Sequence, residues 1–395
     1  MSAQADGAHL CVHDFRLTTA QELCLDLVRI CMAQLIVVGH LVKLQSHSTG
    51  GEMPTAGLRV SVFFMLSGFL IFATTWRRRG KLTFSDFMIE RSARLWVCLV
   101  PALAFSAAVA HASMDLPDYP ALHTTGVYAF VGNLLMLEDF PLFQVLRRVG
   151  LDSSLFVRPY ASAEPYWTLP IEYWLYVVFG YAFFFGYLQR GRPSRSVTLL
   201  FAIALFAAMY HGATGHGQCL SLVWAMGALG PWAVPFERKL QQHFRYSDRT
   251  ARLLIVGWLG FWFSMLALRI VSRGIYFYEL QVALFVGAIL MGLLWLTGRV
   301  HGTVSQPVAR TTRAFAKQTY ALYLTHNAVL TFYMARAGTE LAPSEAVLLV
   351  LSCNLIALPF YWLFDRHHKL VAQWLKSMRH RSAKHDPYGN AAGAM

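Results

Sequence analysis

A chain of 395 residues that is 56% hydrophobic and only 14% charged, with a mean hydropathy of +0.43, does not have a soluble composition; soluble domains carry about 25% charged side chains. Disorder and collagen-like repeats are excluded, and six cysteines scattered along so long a chain exclude a disulfide scaffold. The net charge of +13 would suggest nucleic acid in a soluble protein, but in a membrane protein it is an orientation signal, so no nucleic-acid partner is expected.

The first 23 residues are mixed and polar, with no basic start running into an apolar stretch, so they read as a cytoplasmic segment and not a cleavable signal. Apolar stretches then follow at roughly 24–43, 58–76, 95–112, 166–188, 197–211, 217–236, 252–271, 276–298, 314–335 and 344–364. At about 20 residues per span, these predict an all-α integral membrane protein of about ten transmembrane helices. A shorter apolar piece at 127–137 is too brief to cross and reads as a re-entrant or interfacial segment of the outer loop. That loop, about 112–165, is acidic, with Asp115, Asp118, Glu138, Asp139, Asp152 and Glu164. Threading ten spans with both termini inside puts 26 of the 34 Lys and Arg in or at the inward pieces. The expected organisation is a cytoplasmic segment 1–23, a membrane domain 24–364, and a basic, partly disordered cytoplasmic tail 365–395.

Ionisable residues inside spans are expensive, so each is a candidate for function. His40 falls within the first span, Glu172 in the outer part of the fourth and His326 within the ninth. Asp26 and Arg29 are three apart and share a helix face, which favours pairing. Arg29 and His40 are eleven apart, three turns plus about 20°, so they point the same way about 16 Å apart. One stripe thus carries a cation near the inner surface and an imidazole deep in the membrane. That layout suits a donor whose phosphate end enters from the cytoplasm. Arg91 and Arg94 likewise share a face. Ser67 and Gly68 read as close-packing residues, and Trp167 and Trp174 as belt or substrate platform. No HExxH, Walker-type loop or convergent metal cluster is present in the sequence, and no metal is expected.

Five elements occur in order. They are Leu25-Asp26-Leu27-Val28-Arg29 with His40; Phe63-Phe64-Met65-Leu66-Ser67-Gly68-Phe69-Leu70-Ile71; Arg91-Ser92-Ala93-Arg94-Leu95 with Pro101; Tyr166-Trp167-Thr168-Leu169-Pro170-Ile171-Glu172-Tyr173-Trp174-Leu175-Tyr176; and Tyr320-Ala321-Leu322-Tyr323-Leu324-Thr325-His326. Together they resemble the membrane-bound acyltransferase-3 family. The chain departs from the family pattern at Thr168, where serine is usual, at Pro170 inside the motif, and at Cys31 and Met32.

The resemblance implies transfer of an acyl group, usually acetyl from acetyl-CoA or another acyl-CoA, to a glycan or oligosaccharide outside the cytoplasm, by an enzyme of the cell inner membrane. It implies His40 as general base, with an unperturbed pKa near 6.5 suited to that work. Arg29, Arg91 and Arg94 are implied as holders of the acyl-CoA phosphates through bidentate guanidinium contacts. Glu172 is implied as a catalytic residue that orients a substrate hydroxyl or His40, with Asp26, Trp167 and His326 in substrate or supporting roles. The competing expectation is a secondary transporter using His40, Glu172 and His326 as a proton relay. No paired half-repeat of the transporter kind is found in the sequence.

Overall fold

The computed structural model describes residues 16–46, 56–113, 115, 124–150, 156–213, 219–271, 278–300, 304–338 and 340–384. The N-terminal segment up to residue 15, Asp118, Asp152, Arg273 and the tail from 385 lie outside the described residues. Among the described residues all regular structure is helical: α1 (Thr19–Ser46), α2 (Ala56–Arg77), α3 (Phe84–His111), α4 (Val127–Leu134), α5 (Pro141–Arg148), α6 (Thr168–Tyr181), α7 (Arg195–Ala213), α8 (Leu220–Ala233), α9 (Phe236–Phe244), α10 (Asp248–Val271), α11 (Tyr278–Thr297), α12 (Gln306–Ala337), α13 (Pro343–Leu363) and α14 (His368–Lys384). Eight helical stretches, counting the turns that extend α6 and α13, are long and apolar enough to cross a membrane. They match eight of the ten expected spans, and the chain is an all-α integral membrane protein.

The other two expected spans are helices as well, and the reason each falls short is physical. Helix α8 has 14 residues, about 21 Å at 1.5 Å per residue, against the ~30 Å of a hydrocarbon core. Helix α12 is long but polar. Gln318, Thr319, Thr325, His326, Asn327 and Thr331 are all buried on it. Several are satisfied locally or by neighbours: Thr325 donates to the Ala321 carbonyl at 2.9 Å, Thr331 to that of Asn327 at 2.8 Å, and Asn327 Nδ2 to the Ser162 carbonyl at 2.7 Å. A helix enclosed by α1, α3 and α13 does not need a lipid-facing surface, so composition alone under-reads it.

Helices α2 and α8 pack backbone to backbone. A Cβ on Gly68 would lie 2.1 Å from the Trp224 carbonyl oxygen, and one on Gly227 2.1 Å from that of Met65. Small residues let membrane helices approach this closely, which supports the reading of Gly68 as a packing residue. Gly227→Val is expected to destabilise the bundle by roughly 1–3 kcal/mol through overpacking against a main chain that cannot rotate away. A thermal melt of the purified protein checks this, and an unchanged Tm would mean the two helices separate freely.

The piece expected to re-enter, 127–137, is helix α4 followed by a turn. The Leu134 carbonyl accepts the Trp96 indole N–H at 2.8 Å, and the Met136 carbonyl accepts that of Trp174 at 3.2 Å. Trp96 lies near the middle of α3, so the end of α4 packs against the middle of that helix. Pro170, a departure from the family pattern, is the third residue of α6, where its missing N–H would have no intrahelical partner anyway. Of the expected basic tail, Asp365–His367 form a 3-10 turn and His368–Lys384 form α14, which lies along α3.

Candidate functional site

Helices α1, α2, α3, α6 and α12 enclose a cavity of about 260 Å³. Arg29 comes from α1, Arg91 and Arg94 from α3, Ser67 from α2, Thr168, Glu172 and Tyr176 from α6, and Thr319, Tyr320 and Tyr323 from α12, with apolar side chains such as Phe63, Phe64 and Leu70 between them. Four residues expected at the site, Arg29, Arg91, Arg94 and Glu172, therefore meet in one space.

The three arginines have different partners. Arg29 pairs with Asp26 at 3.3 Å, as their spacing predicts. Arg94 pairs with Asp365, which lies 271 residues away in sequence, and its guanidinium carbon sits 4.7 Å from the centre of the Tyr320 ring. Arg91 makes no ion pair within 4 Å among the described residues; it lies 5.8 Å over the Phe87 ring, and its Nε is buried without a hydrogen-bond partner. A buried cation lining a cavity without a carboxylate on it is ready for an anion.

On the same cavity wall Glu172 Oε1 accepts two hydroxyl hydrogen bonds of 2.5 Å, one from Ser67 and one from Tyr176. The Trp224 indole donates to Ser67 Oγ at 3.3 Å. Of the two alternatives for Glu172, a substrate hydroxyl or His40, no hydrogen bond to His40 is made among the described residues; Glu172 holds Ser67 and Tyr176. The Tyr323 hydroxyl donates to the Pro165 carbonyl and so accepts from Thr168 Oγ1, at 2.6 Å, tying α12 to the turn before α6. Thr168 keeps the hydroxyl that the usual serine would supply.

His40 is not on the cavity wall. It stands one turn beyond Ile36, which does line it, on the stripe that begins at Arg29. Its ring meets the fully buried His326 ring edge-on, centroids 5.1 Å apart, and His326 in turn lies 6.1 Å from the Tyr323 ring on the wall. His326 Nδ1 is 3.1 Å from the Leu322 carbonyl oxygen and 2.8 Å from that of Tyr323. Carbonyls only accept, so this geometry assigns the proton of the neutral ring to Nδ1. The lone pair is then on Nε2, which is buried and has no partner. The imidazole pair thus sits behind Tyr323 and Ile36. Asp26 reaches the site only through Arg29, and Trp167 packs on the core outside the cavity lining. Beyond the pair, Lys43 bonds Glu164 at 2.7 Å and closes α1 against the turn preceding α6.

The sequence motifs contain Tyr176 but give it no role, Asp365 lies outside them, and Ser67 reads there as a packing residue. Tyr176 was within reach, since it follows Glu172 by four residues on one helix face. Ser67 and Asp365 carried no such local signal. Ser67→Ala is expected to cost about 1 kcal/mol, a roughly fivefold fall in turnover, by freeing Glu172 from one hydroxyl; a total loss of activity would instead assign Ser67 a covalent role. Among the described residues no group of three or more His, Cys, Asp or Glu side chains is arranged to hold a metal.

Fold and site define an integral membrane protein with a cavity lined by three arginines, a glutamate and several hydroxyl groups. The chain matches the acyltransferase-3 model, described as an acyltransferase domain, over residues 22–364 and belongs to that family. It is also 26% identical over 185 residues to the O-acetyl transferase of Shigella phage Sf6, an alignment covering 45% of this chain and 50% of that protein. The chain therefore spans about half the length of that relative. No solved structure matches. The chain is thus an integral membrane member of the family that the five motifs imply.

Proposed function

We propose that this protein is an inner-membrane O-acetyltransferase that moves an acetyl group from cytoplasmic acetyl-CoA to a hydroxyl of an extracytoplasmic glycan or oligosaccharide. The arginine end of the cavity faces the cytoplasm in this reading, with both termini on that side, as the distribution of Lys and Arg favours. The observation that carries the reading is Arg91: a cation on the cavity wall with no carboxylate partner among the described residues, flanked by Arg29 and Arg94. Phosphates of the donor take this end, and the pantetheine arm runs along the apolar wall toward Glu172, Thr168 and Tyr323. The distance from Arg29 to His40, about 16 Å of helix, suits a donor anchored by its phosphates and reacting at its far end.

His40 accepts the proton of the acceptor hydroxyl as that oxygen attacks the thioester carbonyl carbon. The carbon–sulfur bond breaks, and the thiolate of CoA takes up the proton. Glu172 fixes the Tyr176 and Ser67 hydroxyls beside the path, and its second oxygen is available to a sugar hydroxyl. The deciding experiment is mass spectrometry of surface and secreted glycans from cells with and without the gene. A mass gain of one acetyl group per modified sugar, present only with the gene, is the expected result. Identical glycans together with no acetyl-CoA binding by the purified protein would overturn the proposal.

A further inference from the structure

Three residues at i, i+4 and i+8 on α3, Asp86, Glu90 and Arg94, form one charged row. The C-terminal segment meets that row in reverse order: Arg379 bonds Asp86 at 3.0 Å, Lys376 bonds Glu90 at 2.6 Å, and Asp365 bonds Arg94. Every pair is of opposite sign, and the order of an antiparallel partner is kept. Arg78 adds a bidentate contact to Glu90 at 2.7 and 2.8 Å, which fixes the middle of the row. The family match ends at residue 364, one position before Asp365, so two elements fall outside it: the turn Asp365–His367 and α14. The row ends inside the cavity, because Arg94 is both its last member and part of the cavity wall.

We propose that the segment from Asp365 through α14 is a positioning element of the donor site, docked on α3 by this charge row and holding Arg94 in place through Asp365. The proposal rests on the reading that the arginine end of the cavity takes acyl-CoA. Asp365 is 1% exposed, and its second carboxylate oxygen is buried without a partner. Arg94 is the close counter-charge of this carboxylate, with the His368 ring farther off at 4.0 Å, so moving Arg94 away from it is costly. One edge of the guanidinium is committed to Asp365, and the face is stacked on Tyr320. The remaining donors are presented to the cavity in one fixed orientation, the condition under which a charged contact binds best. Arg91, three residues away, lines the cavity beside it and makes no ion pair within 4 Å among the described residues. Lys376 and Arg379 touch no part of the cavity wall and act on it only through the docking of α14.

The test is acetyl-CoA binding to the full-length protein in detergent or nanodiscs, followed by calorimetry, with thermal melts of each variant. Asp365→Asn is expected to weaken acetyl-CoA binding roughly ten- to a hundredfold, the range for one charge-assisted hydrogen bond. Asp365→Glu, which keeps the charge, is expected to restore most of the affinity. Lys376→Met, which keeps the aliphatic stem and lies away from the cavity, guards against a fold defect at the buried aspartate and is expected to weaken binding by severalfold. Wild-type affinity in a folded Asp365→Asn or Lys376→Met protein, while Arg91→Ala loses acetyl-CoA, would overturn the proposal and leave the donor-site reading standing. A wild-type protein that does not bind acetyl-CoA, or an Arg91→Ala protein that binds it unchanged, would overturn both.

Discussion

His40→Ala is expected to lower acetyl transfer by roughly 10²- to 10⁴-fold, the contribution of a general base, while acetyl-CoA still binds. The split follows from position. Arg29, Arg91 and Arg94, proposed to hold the donor's phosphates, line the cavity, whereas His40 stands off its wall, one turn past Ile36. Removing its half-buried imidazole opens space beside His326 but breaks no hydrogen bond of the scaffold, since His326 anchors itself to the carbonyls of Leu322 and Tyr323. Single-turnover transfer and equilibrium binding, measured on the same preparation, separate the two effects. A variant that transfers at the wild-type rate would sink His40 as the base and return weight to the His326 Nε2 lone pair. Loss of transfer with acetyl-CoA binding kept also argues against a proton-relay transporter, which would have no acetyl-CoA site to keep.

What could be read from the sequence is what depends on helical spacing. Asp26 with Arg29, Arg91 with Arg94, and the alignment of Arg29 with His40 are consequences of 3.6 residues per turn, and all three arginines do line one cavity. Contacts between helices have no such local rule. Ser67 reaches Glu172 across 105 residues, and Arg94 reaches Asp365 across 271. The same limit explains the tail. Residues after Asp365 look solvated by composition because their charges are counted singly, yet Lys376 and Arg379 are matched by acids on α3. Helix α12 shows the converse. Its polar residues make it a poor span by hydropathy, and burial on several sides makes it the centre of the bundle. Its Tyr323 and His326 link the cavity wall to His40.

The different partners of the arginines separate binding from folding. Arg94→Ala is expected to destabilise the protein by about 3–5 kcal/mol, because it leaves the buried Asp365 carboxylate without a counter-charge. Arg91→Ala removes a cation with no ion pair within 4 Å among the described residues, so the close contact the fold loses is the one over Phe87, worth about 0.5–1 kcal/mol. Both variants are expected to weaken acetyl-CoA binding, Arg91→Ala by roughly ten- to a hundredfold with its melting temperature nearly kept. Thermal melts run beside acetyl-CoA titrations resolve the two cases. The double change Arg94→Ala with Asp365→Leu sharpens the argument, since removing both buried charges is expected to recover stability without recovering affinity. If affinity returned together with stability, Arg94 would be a structural cation, and donor recognition would rest on Arg91 and Arg29 alone.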